Sequence, residues 1–346
     1  MEADASPSRQ AAPGERLLHA HGLVKRFPIG RGLFGPPRGW VQAVSGVSLE
    51  VHAGETLALV GESGCGKSTL ARLLLGLEVP DAGAVHLMGD AVVGARGAVR
   101  SRIRRHIQLA FQDPSAALNP RLTVGASVRE GLDIHFPELP RAERDARAQS
   151  LLQRVGLSAA HARRLPGELS GGQRQRVVIA RALAVEPRVV VADEPTSALD
   201  VSVQAQVLNL LGELRRERAL GFLFISHDLR VVEHVADRIA VMYLGRIVEQ
   251  GPAAQVLERP AHPYTRALLG AAPRGRRDTE RPLLQGEPPS PVRPPSGCSF
   301  HPRCPLRARL GEAEAARCAT GSPSLEVVTP EGHLAACPHR LRDGAC

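Results

Sequence analysis

Nine residues, GESGCGKST at positions 61–69, have the makeup of a polyphosphate cradle. They fit G-x-x-x-x-G-K-S/T, in which Gly61, Gly64 and Gly66 let backbone amides turn inward on phosphate oxygens and the following helix adds its dipole. Lys67 would reach the β- and γ-phosphates, and the Ser68 hydroxyl would ligate Mg²⁺. Glu62, Ser63, Cys65 and Thr69 complete the nucleotide-binding run; Cys65 is a tolerated small residue to which no chemical role is assigned. A second stretch, VVVADEP at 189–195, ends an apolar run in Asp193 and Glu194. Successive strand residues point to opposite sides, so Asp193 is expected to face the metal and Glu194 to be aimed elsewhere, as a general base on an attacking water. Together these groups suit phosphoryl transfer from a nucleoside triphosphate to water.

Such chemistry needs a strand, a glycine loop and a helix in that order. TLALV (56–60) reads as a short buried strand, STLARLLLGL (68–77) has helical apolar spacing, and VVVAD reads as a second buried strand. With 346 residues, 43% of them hydrophobic, the chain has enough apolar content for a core, which rules out global disorder. No apolar run approaches the roughly 18 residues of a membrane span, and the amino terminus is acidic and polar, so a soluble, unsecreted chain is expected. The net charge of +9 invites a nucleic-acid reading, but the excess is spread along the chain without a long single-sign run. Arg100, Arg102, Arg104 and Arg105 read as a solvated helix face. Of the 44 basic residues only Lys25 and Lys67 are lysines, and one of those two closes the phosphate loop.

Between the two motifs lies LSGGQRQRV (169–177), opening a helical run. Here the chain resembles the nucleotide-binding subunits of ATP-binding-cassette (ABC) transporters, over roughly residues 17–270. Its physics is a second anion site, with Ser170 and the amides of Gly171 and Gly172 at a helix start. The resemblance implies an α/β phosphate-loop NTPase cassette, with a mixed sheet core plus antiparallel β and helical subdomains, that uses ATP and Mg²⁺. It further implies that Ser170, Gly171, Gly172 and Gln173 cap the γ-phosphate bound to an opposite cassette subunit. Gln112, in LAFQDP, matches a glutamine that contacts Mg²⁺ and the attacking water; Asp200, ending SALD, matches an aspartate that couples the two sites; His227, in FLFISHDL, matches a histidine on the γ-phosphate. Family members stack adenine on an upstream aromatic, for which Phe27 is favoured and Trp40 is the alternative.

FQDPSAALNPR, the insertion PIGRGLFGPPRGW after Phe27 and HPYTRALL (262–269) resemble one branch, the ATPase subunits of dipeptide, oligopeptide and nickel importers. The tail, with Cys298, Cys304, Cys318 and Cys337, resembles that branch's small, irregular, cysteine-containing C-terminal extension; Cys346 lies outside the pattern. Their spacing matches no zinc finger, and cytosolic thiols are kept reduced. The four cysteines are then either ligands of an iron–sulfur cluster or metal, as in some family members, or free structural thiols. The expected division is a disordered 1–15, a cassette over 16–270 with its helical subdomain at about 113–170, a linker over 271–297 and the extension over 298–346. The branch implies two membrane permease subunits, a second ATPase subunit and, indirectly, an extracytoplasmic solute-binding protein, at the cytoplasmic face of the inner membrane. No nucleic acid is expected. The alternative is a soluble cassette ATPase acting on ribosomes or DNA, but such chains carry two cassettes or a long coiled coil, and this one has a single signature and no sustained heptads.

Overall fold

The computed structural model describes residues 12, 14–30, 37–110, 113–196, 201–271, 284 and 286–340. Its strands are β1 (Arg16–Ile29), β2 (Gly39–His52), β3 (Thr56–Val60), β4 (Ala82–Leu87), β5 (Asp90–Ala91), β6 (Ile107–Ala110), β7 (Val189–Asp193), β8 (Gly221–Ile225), β9 (Arg238–Tyr243), β10 (Arg246–Pro252), β11 (Glu326–Thr329) and β12 (His333–Ala335). They form a four-stranded antiparallel sheet, β2-β1-β4-β5, and an eight-stranded sheet, β11-β12-β10-β9-β3-β8-β7-β6. Strands β9, β3, β8, β7 and β6 run parallel, and β10, β12 and β11 extend the sheet in antiparallel fashion.

The central strands β3, β7 and β8 are apolar at nearly every position because both faces of the sheet are covered. Side-chain alternation divides each strand between two cores. Val189 and Val191 of β7, with Leu223 and Ile225 of β8, join Leu70 and Leu74 of the helix Lys67–Leu74 and the small sheet's Leu18 and Val47. Val190 and Ala192, with Phe222 and Phe224, face the other way onto Val128, Leu152 and Val177 from the helices Val124–His135, Arg141–Arg154 and Gly171–Ala184. A third core joins Ala58 and Val60 of β3 to Tyr243, Tyr264 and Phe300, so chain beyond the cassette helps to bury the strand that leads into the phosphate loop.

The helix after the loop stops at Leu74, three residues short of the expected Leu77. Gly76 adopts φ +65°, its amide donates to Leu73 O and the Leu77 amide donates to Arg72 O. This paired closure ends a helix at a left-handed glycine, which periodicity alone does not register. The basic run lies on the helix Gly97–His106, but its face is not purely solvated. Arg102 pairs with Asp90, and the Arg105 guanidinium lies 4.2 Å from the centre of the Phe136 ring.

The extension is less irregular than expected. It carries the helix Glu312–Thr320, and β11 and β12 lengthen the main sheet. Its dock is polar and fully buried: Glu249 of β10 accepts from His333 Nε2 at 2.7 Å and from the amides of Ala261 (2.7 Å) and His262 (2.9 Å). A buried carboxylate supplied with three donors has its desolvation cost offset, whereas the same group left unpaired would be strongly destabilising.

Candidate active site

The C-terminal ends of β3, β7 and β8 open into a cleft of 540 Å³. Its walls include Ser63 to Thr69 of the loop, Glu194, His227 and Phe27. Gly66 caps the loop's helix with φ +111°, and a Cβ there would lie 2.2 Å from the carbonyl oxygen of Ala43. Only glycine fits that position, and the close approach seats the helix start against β2. Lys67 is 7% exposed, and its Nζ donates to the carbonyls of Gly61 (2.8 Å) and Glu62 (3.0 Å), so the ammonium is held within the loop's own curve. Burial pushes the Cys65 thiol upward, against the opposing pull of Lys67, so it is not an activated nucleophile.

Asp193 lies on the same face of β7 as Val191, the face that covers the helix Lys67–Leu74, and the Ser68 hydroxyl donates a hydrogen bond to it. Burial raises the Asp193 carboxyl above the usual carboxylate range, and the Ser68 bond opposes that rise. Two hard oxygen donors side by side next to a phosphate cradle suit Mg²⁺, which takes one or two protein oxygens and completes its shell with water and phosphate. Strand alternation alone would aim Glu194 away from this cleft, yet Glu194 lines it. The reason is local: Glu194 has φ +46°, and its amide donates to Ile225 O at 2.9 Å, so the chain turns sharply at the end of β7. A left-handed non-glycine residue is uncommon, and here it redirects the chain at the strand end. The turn brings Glu194 Oε1 to 2.8 Å from His227 Nδ1. His227 follows β8 and is fixed by its neighbours: Ser226 Oγ accepts from the Asp228 amide at 3.0 Å, and Asp228 caps the next helix.

The remaining expected residues are distributed as follows. Phe27 lines the cleft, whereas Trp40, 46% exposed, is not among its walls. Ser170 caps the helix Gly171–Ala184 in a reciprocal box: Ser170 Oγ accepts from the Gln173 amide (3.3 Å), and Gln173 Oε1 accepts from the Ser170 amide (3.0 Å). That helix start, with Gly171 and Gly172, is not among the cleft's walls; it is a separate, exposed set of amides. Gln112, Asp200 and Cys346 lie outside the described residues.

Three further contributors come from distant sequence. Pro291, from the stretch expected to be linker, lines the cleft, and its carbonyl accepts from the Gln42 amide at 2.9 Å. Tyr264 of HPYTR accepts from the Glu62 amide at 2.9 Å, and Arg303 of the extension forks onto the Glu62 carboxylate at 2.8 and 3.0 Å. No local pattern marks these partners; only Tyr264 lies in a motif, and that motif points to a branch rather than to a role.

Cys298, Cys304, Cys318 and Cys337 line one small cavity together with His262. Among the described residues, however, no group of three or more His, Cys, Asp or Glu is arranged to hold a metal ion. Burial pushes Cys298 up to about 11 and Cys337 up to about 12. An iron–sulfur cluster therefore has no support in this geometry.

A strand, phosphate loop and helix, a carboxylate pair at the end of β7 and a separate serine-capped helix start together define a phosphate-loop ATPase of the cassette type. Comparison with known proteins agrees. Residues 44–197 match the ABC transporter family, and residues 248–309 match the oligopeptide/dipeptide transporter C-terminal region. The di/tripeptide transport ATP-binding protein DppF of Pseudomonas aeruginosa is 47% identical over 94% of this chain and 98% of its own length. The dipeptide transport ATP-binding protein DppF of Escherichia coli is 49% identical over 88% and 90%. Among solved structures, the dimeric post-hydrolysis state of the ATP-binding cassette MJ0796 bound to ADP and Pi superimposes with a TM-score of 0.62, at 29% identity, over 68% of this chain and 99% of that one. The chain belongs to the ATP-binding proteins of ABC transporters, in the branch that carries the oligopeptide/dipeptide C-terminal region. It is an ATPase, and membership implies the use of ATP and Mg²⁺. No helix among the described residues is long and apolar enough to cross a membrane.

Proposed function

We propose that this chain is the ATP-hydrolysing motor of an importer of di- or oligopeptides or a related small solute. The observation that carries the reading is the convergence of Lys67, Ser68, Glu194 and His227 on one cleft, with Asp193 bonded to Ser68, in a chain that also bears a peptide-importer C-terminal region. Lys67 would leave the Gly61 and Glu62 carbonyls to meet the β- and γ-phosphates, and Phe27 would stack on adenine. Ser68 and Asp193, with Gln112, would hold Mg²⁺, which when bound draws charge from the phosphates. Glu194 accepts the proton of the attacking water, while His227 orients Glu194 and contacts the γ-phosphate. Little covalent work falls to the protein, so positioning and charge complementarity carry the rate.

Ser170 to Gln173 lie away from the chain's own phosphate loop, which supports a role on the nucleotide of a partner cassette, with Asp200 coupling the two sites. Two ATP would then close a pair of cassettes, and hydrolysis would reopen it. The partners in this reading are two permease subunits, a second ATPase subunit, identical or paralogous, and indirectly an extracytoplasmic binding protein. The chain would work at the cytoplasmic face of the inner membrane, as a cassette over 16–270 with its helical subdomain at about 113–170, followed by a linker and an extension from 298. Purification of the full chain from solubilised membranes tests this. Recovery with two hydrophobic subunits, and ATPase activity stimulated by peptide-loaded binding protein, is expected; recovery on ribosomes or DNA alone would overturn it.

A further inference from the structure

Glu62 is an odd residue to find in a phosphate cradle. It is the second position of the loop, and a free carboxylate there would repel a polyphosphate held a few residues away. The structure answers this with a residue 241 positions further on: both Nη atoms of Arg303 donate to the Glu62 carboxylate, at 2.8 and 3.0 Å. The Arg303 side chain is 6% exposed, so its charge is poorly screened where it meets Glu62. On the backbone side, Tyr264 Oη accepts from the Glu62 amide, and the Glu62 carbonyl accepts from Lys67 Nζ. Glu62 is thus a joint: its side chain belongs to the extension, its amide to the HPY segment and its carbonyl to the phosphate-binding lysine.

Arg303 is itself firmly seated. It closes the short turn His301–Arg303, its amide donates to Phe300 O at 3.0 Å, and Nη1 reaches Tyr243 Oη at 3.3 Å. Phe300 is buried edge-on against Tyr243 and Tyr264, at 5.3 Å from each ring. Before that turn, the Cys298 amide donates to Cys318 O at 2.9 Å, which ties the turn to the helix Glu312–Thr320. The path from the cysteine-bearing extension to the loop is continuous and built of buried contacts.

We propose that Arg303 is a positioning residue for nucleotide binding: by neutralising and fixing Glu62 it makes the C-terminal extension an intramolecular brace that sets the affinity of the phosphate loop for ATP. This rests on the ATP-binding reading of the cleft. The brace acts on ground-state binding of the polyphosphate and not on the attacking water, so its loss raises KM and spares kcat.

The test is a charge cycle on the full chain, reading ATP KM and kcat and the Kd of ADP. Arg303→Ala is expected to raise KM about tenfold, the size of one lost charge-assisted contact, with kcat within about twofold. Glu62→Gln alone removes the repelling charge together with the fork's acceptor, so its KM is expected to rise less than that of Arg303→Ala. The double variant is expected to return to within about threefold of wild type, since no uncompensated carboxylate remains. Arg303→Lys keeps the charge but not the fork and is expected to fall between; it and Glu62→Gln keep the test decisive where the alanine variant does not fold. Unchanged KM in Arg303→Ala or, should that variant not fold, in Arg303→Lys would overturn the proposal, as would a double variant no better than the alanine single. Lys67→Ala in the same assay separates the two levels: retained ATP binding there would sink the reading of the cleft, whereas loss there with no effect at Arg303 would sink only the brace.

Discussion

Replacement of Phe27 by alanine tests how the cleft recognises the base. In the pairing of β1 with β2, Phe27 lies opposite Val41, and Pro28 lies opposite Trp40. Neighbouring strand positions face opposite ways, so Phe27 and Trp40 present to different sides of the ribbon. Only Phe27 borders the cleft, and Lys25 Nζ lies 5.2 Å from the centre of its ring, where it can polarise the ring and anchor it. Stacking of a base on an aromatic ring is worth about 1–3 kcal/mol by alanine substitution, which corresponds to roughly a 5- to 150-fold loss of affinity. Calorimetric titration with ADP should show Phe27→Ala weakened within that range and Trp40→Ala within about twofold of wild type. The same titration with inorganic triphosphate should show no effect of Phe27→Ala, because that ligand carries no base. Weakening by Trp40→Ala with Phe27→Ala unchanged would refute the register argument and move the stacking surface to the other side of the ribbon.

Two further outcomes follow from the packing. Gly66→Ala forces a Cβ to within 2.2 Å of Ala43 O at φ +111°, so the loop must open; strain of about 1–3 kcal/mol and loss of ATP binding are expected by thermal shift with and without nucleotide. His262 is fully buried, its Nδ1 accepts from the Tyr264 amide, and burial lowers it from 6.5 to about 4. A depressed folded value contributes stability above 6.5 that is lost as pH falls toward 4, roughly 3 kcal/mol at full expression. Urea unfolding midpoints should therefore drop between those values, and His262→Gln should flatten that part of the profile.

The nucleotide cradle was legible because its parts are contiguous: TLALV, the glycine loop and the start of the helix follow one another, and their chemistry needs no distant partner to be read. Asp193 was legible for the same reason, as the last residue of an apolar strand. Glu194 was found in sequence but its direction was not, because alternation breaks where the backbone turns left-handed, and that turn is stabilised from β8 by Ile225 O. Arg303, Tyr264 and Pro291 meet the loop or its cleft from far along the chain, through contacts that no periodicity encodes. The four cysteines illustrate the opposite limit. Their count and position suggested a ligand set, but whether thiols bind metal depends on how they converge, and among the described residues no three or more His, Cys, Asp or Glu are arranged to hold an ion.

The central claim is that ATP bound in this cleft is cleaved by water activated at Glu194. Single-turnover hydrolysis by Glu194→Gln, with ATP-dependent dimerisation followed in parallel by light scattering, tests it most directly. The expected result is a fall in rate of about 10²–10⁴-fold with dimerisation retained, since the amide keeps the shape of the site but cannot take the proton. Hydrolysis near the wild-type rate would remove Glu194 from the reaction and contradict the account.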